Sequence, residues 1–342
     1  MKKFFHKKEF KTEGGKILPE IEIAYHTYGN LNAEKNNVVW VCHALTANSD
    51  CADWWSGIIG PGKVFDPAKH FIVCANILGS CYGSSGPLSE NPQTKKKYFS
   101  SFPAITIRDM VKAHILLKEH LGIEKIFMGA GGSMGAYQIL EWAVTEPTLF
   151  ENFLLTTTSP KESAWGISIH TAQRLAIEAD STFGNESRSL SGENAGAKGL
   201  KAARAIGMLT YRSYEAYCKL QTDADENKLE NFKAESYIQH QGNKLVNRFN
   251  AYSYHLLTRA MDSHNICRGR GKMEDVLKSI KQKTLIVGIS SDFLCPTAEQ
   301  KFMAQHIPNS TYKEIDSIFG HDGFLVEFEK LGVLVKENLL KV

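Results

Sequence analysis

Residues 125–144 read as a strand that runs through a glycine-rich turn into a helix with a serine at the apex: Lys125 to Gly129, then Gly131-Gly132-Ser133-Met134-Gly135-Ala136, then an apolar helical pattern from Tyr137 to Val144. A G-x-S-x-G turn in this setting is so sharp that its serine must take strained dihedrals, and its neighbours must lack side chains for strand and helix to approach. The five-letter pattern alone also describes a Gly-rich turn with a capping serine. The flanking strand and helix favour a nucleophile lifted to the edge of a sheet. A dinucleotide or P-loop reading fails on residues: from Gly129, the G-x-G-x-x-G spacing needs glycine where Met134 stands, and no Gly-Lys-Ser/Thr follows.

A serine hydroxyl is a poor nucleophile until a base takes its proton, and the base needs an acid to hold its tautomer. Downstream, Ser291-Asp292-Phe293 closes the strand pattern Thr284 to Ile289, and Phe319-Gly320-His321-Asp322-Gly323 follows the strand-like Ser310 to Ile315. Taken singly, Asp292 reads as a turn acid and His321 as a surface histidine. Together, the order Ser133, Asp292, His321, each at a strand end, is that of an α/β-hydrolase triad. An oxyanion needs two backbone donors, one following the serine and one from the loop after an earlier strand. Met134 supplies the first, and the Leu45 amide, just past the strand ending Val41-Cys42, the second. His43 in that loop reads as structural, because the base position is already filled.

The remaining pattern fits this fold class. Strand-like runs recur at Ile21 to Tyr28, Asn37 to Cys42, Phe71 to Ile77 and Phe153 to Thr157, and Ile107 to Leu121 has helical periodicity closed by Gly122. Alternating strands and helices imply a mainly parallel sheet flanked by helices. The alternation stops between about Pro160 and Ser279, where Leu200 to Tyr211 and Phe249 to Met261 read as helices and no strand appears. We expect a core of residues 1–159 and 280–342 with a helical insertion, 160–279, between its parts. The insertion's entry, Gly184 to Ser187 and Ser189 to Ala197, is polar and Gly/Ser-rich, as in a mobile loop.

Composition narrows the function classes. Forty Lys+Arg against 37 Asp+Glu give a net charge of only +3 over 342 residues, spread along the chain, which makes nucleic acid and membrane surfaces poor partners. No apolar run approaches a membrane span or a signal-peptide core. Seven cysteines, an odd set without CxxC pairs, argue against a disulfide framework and a zinc ribbon, so a cytoplasmic protein with no metal is expected.

Beyond the triad, the chain resembles the homoserine O-acyltransferases of the α/β-hydrolase superfamily. The resemblance is carried by Cys42-His43-Ala44-Leu45-Thr46, Trp54-Trp55, Gly60-Pro61-Gly62-Lys63, Leu78 to Pro87, Phe102-Pro103, Ile105 to Asp109, Gly132-Ser133-Met134-Gly135, Leu209-Thr210-Tyr211, Tyr237 with Gln241-Gly242, Tyr254 with Leu257-Thr258, and Gly320-His321-Asp322. Membership would imply ping-pong transfer from acyl-CoA through an acyl-Ser133 to homoserine, for methionine biosynthesis. It would also imply a lid made by the insertion, a homodimer contact through that lid, and acetyl-CoA as co-substrate with no permanently bound cofactor.

Arg204 and Tyr211, seven apart and so on one helical face, match the family's substrate-binding pair, Arg204 facing the homoserine carboxylate. Asp322 matches the group that meets the amine. Other readings of these residues are a surface salt bridge, core packing and a cap. The loops near Leu45 and Gly79 resemble acetyl-using relatives more than succinyl-using or serine-acylating ones. Relatives often carry glycine where Ala136 stands. The basic loop Arg268-Gly269-Arg270-Gly271-Lys272 reads as a solvated linker, with attraction of coenzyme A phosphates as the other possibility. A serine esterase shares the triad, and a non-catalytic scaffold shares the fold; the Arg204, Tyr211 and Asp322 set argues against the first and the intact triad against the second.

Overall fold

A computed structural model of the protein describes residues 1–184 and 192–340; Asn185 to Ser191, within the polar stretch at the entry to the insertion, fall outside the described residues. Eight strands form one sheet: β1 (Lys2–His6), β2 (Ile21–Tyr28), β3 (Val38–Cys42), β4 (Phe71–Ala75), β5 (Ile126–Gly132), β6 (Phe150–Thr156), β7 (Lys283–Ile289) and β8 (Ser310–Ile315), in the order β1-β2-β4-β3-β5-β6-β7-β8. Strands β3 to β8 pair in parallel, and β2 lies antiparallel to both β1 and β4. The mainly parallel sheet expected from the strand and helix alternation is therefore present.

Its centre shows why these residues make strands. β3 is Val-Val-Trp-Val-Cys, buried at every position, as a strand covered on both faces must be. Side chains alternate between faces. Val38, Trp40 and Cys42 pack on one side with Val73, Met110, Trp142 and Phe153, while Val39 and Val41 join Trp55, Phe65, Met128, Leu285, Val287 and Phe324 on the other. Trp40 and Trp142 meet edge to face at 5.0 Å, the arrangement their ring quadrupoles favour.

Helices α1 (Ile107–His120) and α2 (Met134–Thr145) cover the sheet. α1 begins where Thr106 and Asp109 form a reciprocal capping box: the Thr106 hydroxyl accepts from the Asp109 amide and Asp109 Oδ2 accepts from the Thr106 amide at 3.0 Å. Between β6 and β7 the described residues form helices and no sheet strand: α3 (Ala164–Glu178), α4 (Ala197–Tyr211), α5 (Tyr214–Gln221), α6 (Lys233–Val246), α7 (Ala251–Asp262) and α8 (Met273–Ser279). After β7 come α9 (Thr297–His306), β8, a 3-10 turn from Gly320 to Leu325, and α10 (Phe328–Asn338). Among the described residues, no helix is long and apolar enough to cross a membrane.

Two features differ from the expectation. β1 occupies the basic N-terminus, which has no apolar run; it is an edge strand whose lysines face water, a composition that discourages further pairing. The loop 268–272 is an anchor and not a solvated linker. Arg268 pairs with Glu13 at 2.8 Å and Arg270 with Glu141 at 2.5 Å, while Arg108 on α1 reaches both acids at 2.9 and 3.0 Å. The arginines tie the end of the helical region to the core, and Lys272 is the loop cation left exposed.

Candidate active site

Ser133 stands between β5 and α2 with φ 54° and ψ −129°, a backbone conformation that costs a non-glycine residue about 1–3 kcal/mol. Packing enforces it. A Cβ on Gly135 would lie 2.1 Å from the Cys42 carbonyl oxygen, and one on Gly132 would strike Phe324 and Thr156 at 2.4 and 2.5 Å. Only hydrogen at those two positions lets helix and strand approach closely enough to push Ser133 outward. Ala136 lies within α2 and outside the positive-φ set, so its methyl group is accommodated.

Asp292 follows β7. Its Oδ1 accepts from the Leu294 and Cys295 amides, each at 2.9 Å, and its Oδ2 lies 2.8 Å from His321 Nδ1. All the acceptor geometry is thus committed to holding the imidazole. Burial draws the His321 pKa down, but the charge and hydrogen bond of Asp292 outweigh it and the net shift is upward. Cys295 Sγ completes a trio of donor atoms within 4.8 Å of one another. Burial drives its thiol pKa well above the usual range, so the metal-binding thiolate is disfavoured.

The two expected oxyanion donors leave adjacent strands at equivalent places. Cys42 and Gly131 are register partners of β3 and β5, and Leu45 and Met134 each follow three residues later. Met134 opens α2, so its N–H has no carbonyl a turn earlier to bond. His43 is buried and holds loop backbone: Nδ1 lies 2.8 Å from the Ala44 carbonyl and Nε2 accepts from the Ile77 amide at 3.2 Å. Burial lowers its pKa to about 4, in keeping with a neutral structural role.

Ser133, His321, Leu45, Arg204, Tyr211 and Asp322 all line one pocket of about 410 Å³. Arg204 sits 5.2 Å from the centre of the Tyr211 ring, and that ring lies 6.0 Å from His321. No carboxylate pairs with Arg204 among the described residues, and its buried Nε has no hydrogen-bond partner. Asp322 differs from the simple expectation of a free amine acceptor, because Arg212 Nε approaches its Oδ2 at 3.1 Å. Burial raises its pKa on balance, against the cations Arg212 and Arg204.

Comparison with known proteins bears on the fold and the family. Residues 37–328 match the model of the alpha/beta hydrolase fold. The homoserine O-acetyltransferase of Cyclobacterium marinum is 47% identical over 99% of this chain and 95% of its own length. That of Chlorobium chlorochromatii is 44% identical over 97% and 93%.

The chain belongs to the homoserine O-acetyltransferase family.

A crystal structure of homoserine O-acetyltransferase from Bacillus anthracis superposes with a TM-score of 0.90 at 25% identity, covering 99% of this chain and 97% of that one. As a member of this acyltransferase family, the chain has supporting contacts that its sequence pattern did not single out. Ser291 Oγ donates to the Ser317 carbonyl and accepts from the Gly320 amide at 3.0 Å, binding the Asp292 and His321 loops together. Ser213 Oγ donates to the Ile318 carbonyl, tying the end of α4 to the histidine loop. Arg248, on the pocket wall, donates to the Thr46 carbonyl and to the Tyr82 hydroxyl at 2.6 Å, fixing the loop that carries Leu45. Such bonds to distant loops carry no local periodicity; the Ser and Arg residue types are the only trace of them in the sequence.

Proposed function

We propose that the protein transfers the acetyl group of acetyl-CoA to the hydroxyl of L-homoserine, a step in methionine biosynthesis, through an acyl-Ser133 enzyme. His321 Nε2 takes the Ser133 proton as Oγ attacks the thioester carbonyl; the Leu45 and Met134 amides hold the oxyanion, and coenzyme A leaves as the thiol with the proton returned by His321. In the second half, His321 takes the homoserine hydroxyl proton, that oxygen attacks the acyl-serine, and Ser133 recovers its proton as O-acetylhomoserine leaves. Asp292 holds the imidazole throughout. Acyl transfer of this kind requires no resident metal or cofactor from the protein.

The observation that carries this reading is one pocket joining a strained serine, a carboxylate-held histidine and an arginine that no carboxylate pairs with among the described residues. A plain hydrolase has no use for that arginine, whereas an amino-acid acceptor presents a carboxylate to it. Asp322, polarised by Arg212, faces the amine. The helices between β6 and β7, residues 160–279, act as a lid: Arg204 and Tyr211 approach from them, Ser133 and His321 from the sheet side. The lid exposes Leu175, Leu209 and Tyr214, which suits a homodimer contact. Buried thiols at Cys42, Cys51, Cys74 and Cys295 suit the reducing cytoplasm.

The test is thiol release from acetyl-CoA and, separately, succinyl-CoA, each with and without homoserine, with Ser133→Ala as the blank. Homoserine-dependent release from acetyl-CoA supports the proposal. Preference for succinyl-CoA overturns the acyl assignment, and release indifferent to homoserine identifies a hydrolase.

A further inference from the structure

Gln173 of α3 lies on the wall of the same pocket, only 1% exposed, and neither its amide nitrogen nor its amide oxygen has a hydrogen-bond partner among the described residues. Buried amides are nearly always paired, because stripping one of water without replacement is costly. The surrounding atoms explain why this one is held in place. Nε2 stands 3.0 Å from where a side chain on Gly207 would begin, so the glycine of α4 leaves the room that the amide occupies. The Tyr211 hydroxyl is near enough to Gln173 and to Tyr254 for both to ease its ionisation, against the larger opposing effect of burial, yet no bond of good geometry joins them. Among the described residues, the hydroxyl of Tyr254, also buried, has no hydrogen-bond partner, and neither has Nε of Arg204. Three helices of the lid thus each bring an unsatisfied polar atom to the neighbourhood of Tyr211.

We infer that Gln173 is a substrate-binding residue, its amide N–H donating to the α-carboxylate of the acceptor beside the Arg204 guanidinium. This rests on the acceptor being an amino acid, as proposed above. A carboxylate offers acceptors to more than one donor group, and an amide can give its N–H to the ligand while turning its oxygen toward the Tyr211 hydroxyl. Asp322, paired with Arg212 and within reach of the charges of Arg204 and His321, serves the ammonium. The division makes Gln173 a determinant of acceptor choice, selecting an amino acid over a simple alcohol, with no part in the reaction of the acyl donor.

The experiment compares wild type, Gln173→Leu and Gln173→Glu with two acceptors, L-homoserine and 3-aminopropan-1-ol, which is homoserine without its carboxylate. Gln173→Leu should raise KM for homoserine by about tenfold or more, while its kcat/KM for 3-aminopropan-1-ol stays within about twofold of wild type and its Tm is no lower, since two unpaired polar atoms have been removed. Gln173→Glu keeps a polar side chain of the same size but sets a negative charge against the carboxylate, and should raise the homoserine KM further, again without penalty on the amino alcohol. An equal loss with both acceptors, or an unchanged homoserine KM, overturns the inference. A lowered Tm with a uniform fall in kcat also overturns it, by showing a structural role. Wild type that transfers acetyl without regard to homoserine refutes the functional proposal itself, and is seen before any variant is made.

Discussion

His321 Nδ1 and Asp292 Oδ2 stand 2.8 Å apart as a buried pair, and the other oxygen of the same carboxylate is held by two backbone amides. The acid cannot rotate away, so the imidazole has one orientation and one tautomer, with Nε2 left for the proton of an incoming hydroxyl. Asp292→Asn preserves shape but can present an N–H to Nδ1, forcing the proton onto Nε2. A fall in kcat of about 10³–10⁴-fold is expected, with Tm little changed; the kinetic constants and a thermal melt of the same preparation check it.

The raised pKa of His321 sets the pH dependence. Only neutral imidazole can accept a proton, so kcat/KM should rise with pH through a limb centred above the ordinary 6.5. Stability runs the other way. The fold favours the charged form, so this residue's contribution is full below the unfolded pKa of about 6.5 and is lost as pH rises through the folded value. A pH–rate profile and imidazole NMR titration should give the same midpoint, and one at or below 6.5 would contradict the pairing.

Arg204 should matter to the second substrate and not to the thioester. Arg204→Ala removes a charge-assisted contact and is expected to raise the homoserine KM about 10–100-fold. The acyl-enzyme burst from acetyl-CoA checks the specificity of the effect, since it should retain its amplitude.

Two neighbouring small residues should respond oppositely to a single methyl group. Gly135→Ala drives a carbon into the Cys42 carbonyl and should cost about 1–3 kcal/mol or more, with loss of activity as Ser133 is displaced. Ala136→Gly, in ordinary helix, should cost about 1 kcal/mol and leave kcat nearly intact. Denaturant melts and steady-state rates on both variants separate the two cases.

The central sheet, and the residues proposed as a triad, each leave a local mark in the sequence. β3 and β5 are dense in β-branched or small apolar residues, Ser133 is framed by glycines that the turn geometry demands, and Asp292 and His321 each follow a strand. The shared helical face of Arg204 and Tyr211 follows from their spacing, and both line the pocket; their proposed role rests on the family resemblance. β1 was not legible, since an edge strand of lysines and phenylalanines has no buried run to betray it. Arg268 and Arg270 read as loop charges because their partners, Glu13 and Glu141, are distant in sequence. Gln173 was invisible for a different reason: a polar residue on a helix normally faces water, and only the three-dimensional packing of Gly207 and Tyr211 shows that this one is buried without a partner.

The most direct test of the account is intact-protein mass spectrometry after rapid mixing with acetyl-CoA, followed by peptide mapping. A single acetyl group on Ser133 is expected, absent from Ser133→Ala and discharged on adding L-homoserine with formation of O-acetylhomoserine. Transfer at an undiminished rate by Ser133→Ala, or an acetyl group mapped to another residue on the productive path, would contradict it.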